Sequence, residues 1–233
     1  MSNILLPKVY EIYPTTPEKF HKYAGMPKIS YSQYTSWKDP LYHEGYIKQY
    51  FMGEKDPGNI YAHFGSACGG YLEDLTIDKE WLSAKDVEVL KKIERPDGAI
   101  YEGEIVIDRG DYVIQGFIDQ EFMNANGKLT IKDLKTGNVK TKIDFYGGDE
   151  YQQTTMYAHA RKQEGWDLEY VGVMLLGRKG FGDERQHNLH LSGDLVTIET
   201  PYSEERAENF LKGMDKVVKE ISNLYKTYVK INK

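Results

Sequence analysis

The sequence predicts an α/β protein with a central mixed β-sheet flanked by helices. Three observations lead there. The elements read helix, three strands, helix, strand, with a further strand and helix behind. Two apolar runs, Tyr112 to Asp119 and Leu129 to Lys135, flank Asn124-Ala125-Asn126-Gly127, whose Asn-Gly pair is a strong hairpin signal. Leu168 to Leu176 is a near-continuous apolar run, the pattern of a central strand buried on both faces.

The elements follow in order. Residues 1–28 read as irregular, with Pro7, Pro14, Pro17 and Pro27. Ser30 or Ser32 caps a helix to about Phe51, with an aromatic surface from Tyr31, Tyr34, Trp37, Tyr42, Tyr46 and Tyr50. Asp56-Pro57-Gly58-Asn59 breaks the chain. A helix covers Ser66 to Leu75 and another Ser83 to Ile93, stopped by Arg95-Pro96-Asp97-Gly98. Strands are expected at Ile100–Ile107, Tyr112–Asp119 and Leu129–Lys135, with a tight turn at Arg109-Gly110-Asp111. A loop of about a dozen residues follows Gly137, and Asp149 caps a helix from Glu150 to about Glu164. After the apolar strand, Gly177-Arg178-Lys179-Gly180-Phe181-Gly182 reads as a flexible basic loop. Leu195–Thr200 is the last strand. Ser203 caps an amphipathic helix striped by Phe210, Leu211, Met214, Val217, Val218, Ile221, Leu224 and Tyr225.

At 233 residues the chain reads as a single domain, with a helical embellishment over 1–55, a core over 60–200 and a helix at 203–230 packed on that core. Composition narrows the function classes. Hydrophobic content of 40% and charged content of 28% fit a globular protein with a full core. No run approaches the roughly 18 apolar residues of a membrane span, and the first residues lack the basic region of a signal peptide. The single cysteine, Cys68, excludes an internal disulfide and any four-cysteine zinc or iron–sulfur site. A reducing cytoplasm is the expected location. A net charge of −6 is not that of a protein coating nucleic acid non-specifically, although Lys128, Lys132, Lys135, Lys140 and Lys142 make one stretch locally basic.

The chemistry concentrates at one hairpin. Asp119 and Asp133 stand at its end, with Lys135 two residues beyond Asp133. Two adjacent carboxylates repel unless a cation lies between them, and hard oxygen ligands suit Mg²⁺ or Mn²⁺. Side chains repeat every second residue along a strand, so Lys135 shares a face with Asp133. There it can position a water or stabilise charge on a phosphate.

These residues resemble the PD-(D/E)XK nuclease superfamily, in its RecB-type exonuclease branch. Gly116-Phe117-Ile118-Asp119 looks like the branch's glycine-led strand ending in aspartate. Asp133-Leu134-Lys135-Thr136-Gly137 looks like its acid-x-lysine motif, and Gln153-Thr154-Thr155-Met156-Tyr157 like its Gln-x-x-x-Tyr helix motif. Upstream, Ile29-Ser30-Tyr31-Ser32 with Trp37, then Phe64-Gly65-Ser66-Ala67 with Leu72-Glu73, are similar to further segments, so the likeness spans about residues 29–200. One departure concerns the metal: the family's first-motif histidine position is Gly69 here, and either Glu73, one turn later, or His63 is left to replace it.

The resemblance implies a restriction-endonuclease-like core and metal-dependent hydrolysis of DNA, from its ends, in recombination, repair or phage replication. The alternatives are a structure- or site-specific endonuclease of the same fold and a non-catalytic DNA-binding accessory protein. It implies Mg²⁺ or Mn²⁺ held by Asp119, Asp133 and the Leu134 carbonyl, and no iron–sulfur cluster. Gln153 and Tyr157, one helix face apart at i and i+4, are implied to orient the DNA strand. Tyr31, Tyr34 and Trp37 are candidates to stack on an unpaired end, and Arg178 and Lys179 to contact the substrate. The implied partners are DNA and a single-strand-binding or annealing protein, or a separate helicase, since no ATPase motif is present. No membrane partner is expected, and the setting is a bacterial or phage-infected cell.

Overall fold

The Asn-Gly signal becomes a turn, built differently from the two-residue type the pair usually makes. Asn124 Oδ1 accepts from the backbone N–H of Asn126 (2.9 Å) and of Lys128 (3.0 Å), and Gly127 N–H donates to the Asn124 carbonyl at 3.0 Å. Gly127 takes a left-handed φ of +73° and Asn126 does not, whereas a type I′ turn needs both. The flanking strands pair antiparallel, with Gln120 opposite Lys132 and Met123 opposite Leu129.

The computed structural model describes residues 4–7, 17–55, 58–181 and 188–232. The expectations at Pro14, at Asp56-Pro57 and at Gly182 lie outside them. Among the described residues no helix is long and apolar enough to cross a membrane. The fold is mixed α/β, with mixed sheets flanked by helices. It divides into two units, one from the described residues within Met1–Asp56, Glu104–Phe117 and Glu204–Lys233, the other within Pro57–Gly103 and Ile118–Ser203.

In the first unit, β1 (Lys28–Ile29) runs parallel to β3 (Val113–Ile118) in a three-stranded sheet with β2 (Gly103–Asp108), ordered β1-β3-β2. Ser30 caps α1 (Tyr31–Lys38) through a capping box with Gln33. The expected helix to Phe51 is interrupted. Asp39 precedes Pro40, and a residue before proline is pushed out of the helical region. Asp39 Oδ1 caps Leu41 N–H instead, starting a 3₁₀ turn at Pro40–Tyr42. Then come the short α2 (His43–Tyr46) and a wide turn at Ile47–Phe51. The C-terminal helix, numbered α7 in chain order (Glu204–Ile231), buries Phe210, Leu211, Met214, Val217, Val218 and Ile221 of the expected stripe, while Leu224 is 40% exposed. Asp215 on α7 accepts two bonds from the Arg109 guanidinium and one from the Tyr112 hydroxyl at 2.7 Å, tying the helix to the β2–β3 turn.

The second unit carries a four-stranded sheet ordered β4-β5-β6-β7: β4 (Gln120–Met123), β5 (Leu129–Gly137), β6 (Leu168–Lys179) and β7 (His190–Glu199). β5 and β6 are parallel and the outer pairs antiparallel. As the apolar run predicts, β6 is central. Its Met174 and Leu176 pack with Phe64, Cys68, Tyr71 and Leu72 of α3 (Ile60–Asp74) and with α4 (Ala84–Leu90). The Asn59 side chain caps α3, so that helix starts six residues before the expected Ser66. Ser83 and Asp86 form a capping box on α4, and buried Asp86 also accepts from Leu191 N–H at 2.7 Å, fastening α4 to β7.

Two further expectations change here. The loop expected after Gly137 is a helix, α5 (Val139–Gly147), because Asn138 Oδ1 caps Lys140 N–H at 3.0 Å. The next helix, α6 (Gln153–Gln163), begins later than Glu150 because the Tyr151 ring is held by Tyr146 (centroids 4.9 Å apart) and Phe145 (5.8 Å). Gly177, Arg178 and Lys179 are not a loop. They complete β6, where Arg178 pairs with Leu191 and Lys179 with His190.

Candidate active site

Asp119 lies at the bend between β3 and β4, where its Oδ2 accepts from the backbone N–H of Leu134 on β5 at 2.5 Å. One carboxylate oxygen thus ties the start of the hairpin to its far strand. Asp133, one residue earlier on β5, is fully buried, and strand alternation puts Lys135 on the same face. The Lys135 ammonium reaches Asp133 Oδ2 at 2.6 Å and the Leu134 carbonyl at 3.2 Å. The expected acid–acid–lysine group is therefore assembled on one hairpin.

Behind it runs a polar chain from α6. The Tyr151 hydroxyl lies 2.7 Å from Asp133 Oδ2 and 2.8 Å from Gln153 Oε1, and its one proton is shared between these acceptors. Gln153 Nε2 donates to the Tyr157 hydroxyl at 2.6 Å, so the i, i+4 pair meets as its spacing predicts. Asp133 Oδ1, in contrast, is buried with no hydrogen-bond partner among the described residues.

The electrostatics follow from this crowding. Burial raises the Asp119 carboxyl to about 7, with the charges of Asp133 and Glu102 adding and Lys135 and the Leu134 N–H opposing. For Lys135, burial favours the neutral amine, but Asp133 and Asp119 outweigh it and the net shift is upward. The lysine is thus a held cation rather than a proton acceptor. Burial also lifts the Tyr157 hydroxyl well above its usual range, with Asp133 and Asp119 adding.

Asp119 faces a cleft of about 430 Å³ that Glu73 and Glu102 also line. Loss of hydration raises the Glu102 carboxyl, with Glu73 and Asp133 adding and Lys135 opposing. Glu102 also holds a left-handed backbone, φ +52°, which costs a non-glycine residue about 1–3 kcal/mol. Of the two candidates for the missing histidine, Glu73 lines this cleft, whereas the His63 ring stacks on Trp81 at 5.1 Å. Gly69 also lines the cleft, and a Cβ there would meet Leu134 at 3.9 Å.

The donor set fits a hard divalent ion in part. Asp133 Oδ1 is a buried oxygen without a hydrogen-bond partner among the described residues, the Asp119 carboxylate accepts from the Leu134 N–H, and the Leu134 carbonyl accepts from Lys135. Mg²⁺ and Mn²⁺ accept few protein oxygens and complete their shell with water. Among the described residues no three His, Cys, Asp or Glu side chains gather as a ready metal cage.

Other expected contacts sit differently. Tyr157 is 1% exposed, so it supports Gln153 from within and meets no substrate itself. Trp37 is buried in the first unit, stacked on His43 at 4.2 Å and edge-on to Tyr46, with its Nε1 donating to Glu220. Its ring faces are taken, and the stacking role expected of it gives way to core packing. Tyr34 is likewise buried, and half-buried Tyr31 packs on Tyr34 and Phe210. Arg178 lies over the Tyr61 ring at 4.1 Å, and Lys179 is exposed at the end of β6.

Sequence reasoning missed Tyr151, Glu102 and Gln120. Tyr151 was hidden inside an expected helix, although an aromatic residue two places before Gln153 is a readable signal. Glu102 precedes Gly103, an acid at a strand entrance with no periodicity to mark it. Gln120 follows Asp119 directly, one residue beyond the expected strand Tyr112–Asp119.

Comparison with known proteins adds the fold. No protein-family model matches the chain, and a search of curated proteins finds no match. The crystal structure of a "Putative exonuclease" from Eubacterium rectale superposes with a TM-score of 0.54 at 14% identity, over 93% of this chain and 88% of that one. The crystal structure of SSO0001 gives 0.46 at 16% identity, over 82% and 75%, a likeness too weak to argue from. At 14% identity the Eubacterium rectale structure shows a shared fold, and the site rests on this chain's own residues.

Proposed function

We propose that this protein is a divalent-metal-dependent deoxyribonuclease that hydrolyses phosphodiester bonds from DNA ends. The observation that carries the reading is the buried Asp133 with Lys135 at 2.6 Å and Asp119 bonded to the intervening Leu134, one hairpin holding two carboxylates and a cation. Asp119, Asp133 and the Leu134 carbonyl would hold Mg²⁺ or Mn²⁺. When bound, such an ion makes water nucleophilic at neutral pH and neutralises phosphate charge. Lys135 stays protonated beside Asp133 and donates to a non-bridging phosphate oxygen, stabilising the charge that builds during attack. Tyr151 and Gln153 hold Asp133 in position. The exonuclease mode draws on the motif resemblance and on the name of the Eubacterium rectale protein that shares the fold.

The test is digestion of end-labelled linear DNA and covalently closed circular DNA, single- and double-stranded, with Mg²⁺, Mn²⁺, Ca²⁺ or EDTA. Linear DNA should be degraded from its ends with Mg²⁺ or Mn²⁺, slowly with Ca²⁺ and not in EDTA. Discrete fragments from the closed circle would mark an endonuclease, and full activity in excess chelator would remove the metal mechanism.

A further inference from the structure

Two cation–aromatic pairs flank the end of β5, just beyond Lys135. In one, the Arg178 guanidinium lies 4.1 Å from the centroid of the Tyr61 ring. In the other, the Lys142 ammonium lies 5.3 Å from the centroid of Phe145. Thr136 and Gly137 turn to opposite faces of β5. A Cβ on Gly65 would meet the Thr136 hydroxyl at 3.5 Å, and Tyr61 stands one turn before Gly65 on α3. A Cβ on Gly137 would meet the Lys142 stem at 3.5 Å. The pairs therefore lie on either side of the strand that carries Lys135. Tyr146 joins them to the candidate catalytic group. Its ring meets Phe145 edge-on, with centroids 5.2 Å apart, and its hydroxyl feels the charges of Lys135, Asp133 and Arg178.

Both pairs are within reach of a ligand. Tyr61 is 41% exposed and Phe145 40%, Lys142 is exposed and Arg178 half-buried. Among the described residues no carboxylate pairs with either cation. Loss of hydration lowers the basicity of Arg178, and the groups that oppose this are Tyr61, Tyr146 and Cys68. Asp194 stands near Gly177, but its carboxylate accepts from the Ser192 hydroxyl at 2.6 Å. A cation that has shed water without gaining a counter-ion is stabilised by an anion from outside the chain. The ring beside each cation narrows the anion. A cation for the phosphate with an aromatic ring for the base is the means by which single strands are held, and it tolerates any sequence because every base has a π-face. In a duplex the base faces are already covered by their neighbours, and the rings would have nothing to stack on.

We infer that the end of β5 is a path for single-stranded DNA, on which Arg178 and Lys142 hold phosphates and Tyr61 and Phe145 stack bases on either side of Lys135. That the strand is DNA rests on the proposed nuclease reading. Neither pair falls in the segments Gly116–Asp119, Asp133–Gly137 or Gln153–Tyr157, so the path is a property of this chain's own surface. It selects single strands over duplex, and the net charge of −6 keeps the attraction local to it.

The experiment is binding of the intact protein, in EDTA so that nothing is cut, to a fluorescein-labelled oligothymidylate and to a blunt duplex of the same length, read by anisotropy over a range of salt. The single strand should bind about tenfold or more tighter than the duplex. Tyr61→Leu and Phe145→Leu, which keep an apolar side chain and remove the ring, should each weaken single-strand binding about fivefold or more and leave duplex binding unchanged. Arg178→Gln and Lys142→Gln should each make the slope of log affinity against log salt shallower by about 0.7, the share of one phosphate on a single strand. Lys142 and Phe145 are exposed, so their variants keep the test open should Arg178→Gln not fold. No single-strand binding, duplex binding as tight as single-strand binding, or single-strand affinity and salt slope untouched by the Lys142 and Phe145 variants would overturn the path. Cleavage of DNA with any of these results would leave the nuclease reading standing without it. The expected binding with no cleavage in Mg²⁺ or Mn²⁺ would keep the path and remove the nuclease.

Discussion

The Lys135 ammonium lies 2.6 Å from Asp133 Oδ2, and the carboxylate it neutralises is completely buried. Removing one partner of a buried pair leaves an uncompensated charge, at about 3–5 kcal/mol. Lys135→Met should therefore abolish cleavage and destabilise the metal-free protein by up to that amount. Added Mn²⁺ should restore stability more in the variant than in wild type. Equal melting temperatures for variant and wild type in EDTA would show that the pair carries no weight.

Asp119 gives a pH signature. Its carboxyl titrates near 7 in the folded protein, against an ordinary value of about 3.9 in the unfolded chain. The folded state then binds the extra proton between about pH 4 and pH 7, so the stability of the metal-free protein falls as pH rises through that window. The melting temperature in EDTA should decline from pH 5 to pH 8 for wild type, and Asp119→Asn should remove that part of the slope. Divalent-ion affinity should rise over the same interval, because the proton must leave. A stability profile that Asp119→Asn leaves unchanged would contradict the shift.

The hairpin was legible because its signals are local. Alternation put Lys135 beside Asp133, i to i+4 spacing put Gln153 beside Tyr157, and an unbroken apolar run put β6 at the centre of its sheet. What was not legible depends on contacts distant in sequence. Trp37 looked available for stacking until His43 and Tyr46 covered its faces. Tyr151 joins Asp133 across 18 residues, and Gln120 and Tyr101 meet across 19, with no spacing rule to announce either. Local capping carries the rest: Asn59 starts a helix earlier than the expected Ser66, and Asn138 starts one in place of the expected loop.

The strand that follows Asp119 is anchored by a second buried pair. Arg161 on α6 bonds both carboxylate oxygens of Glu121 on β4, at 2.6 and 2.8 Å, with both side chains nearly inaccessible. Glu121→Ala should cost about 3–5 kcal/mol in urea denaturation, because the buried guanidinium then loses both bonds to that carboxylate. A loss under about 1 kcal/mol would mean β4 is held by its backbone pairing alone.

Glu73 and Glu102 line the cleft with Asp119, and each is tested by its amide. If Glu73 stands in for the histidine missing at Gly69, Glu73→Gln should weaken Mn²⁺ binding and slow cleavage severalfold, with Gly69→His partly restoring both. Glu102→Gln should relieve repulsion, bringing the Asp119 carboxyl down. Unchanged metal titrations in both variants would leave Asp119 and Asp133 as the whole side-chain ligand set.

The account turns on Asp133, the proposed cation ligand, whose buried Oδ1 has no hydrogen-bond partner among the described residues. Asp133→Asn keeps the shape of the side chain and removes its charge. The cleavage rate of linear DNA in Mn²⁺ should fall at least 100-fold, about 2.7 kcal/mol of transition-state stabilisation, while circular dichroism and melting in EDTA show a folded protein. Cleavage by Asp133→Asn at the wild-type rate would contradict the account.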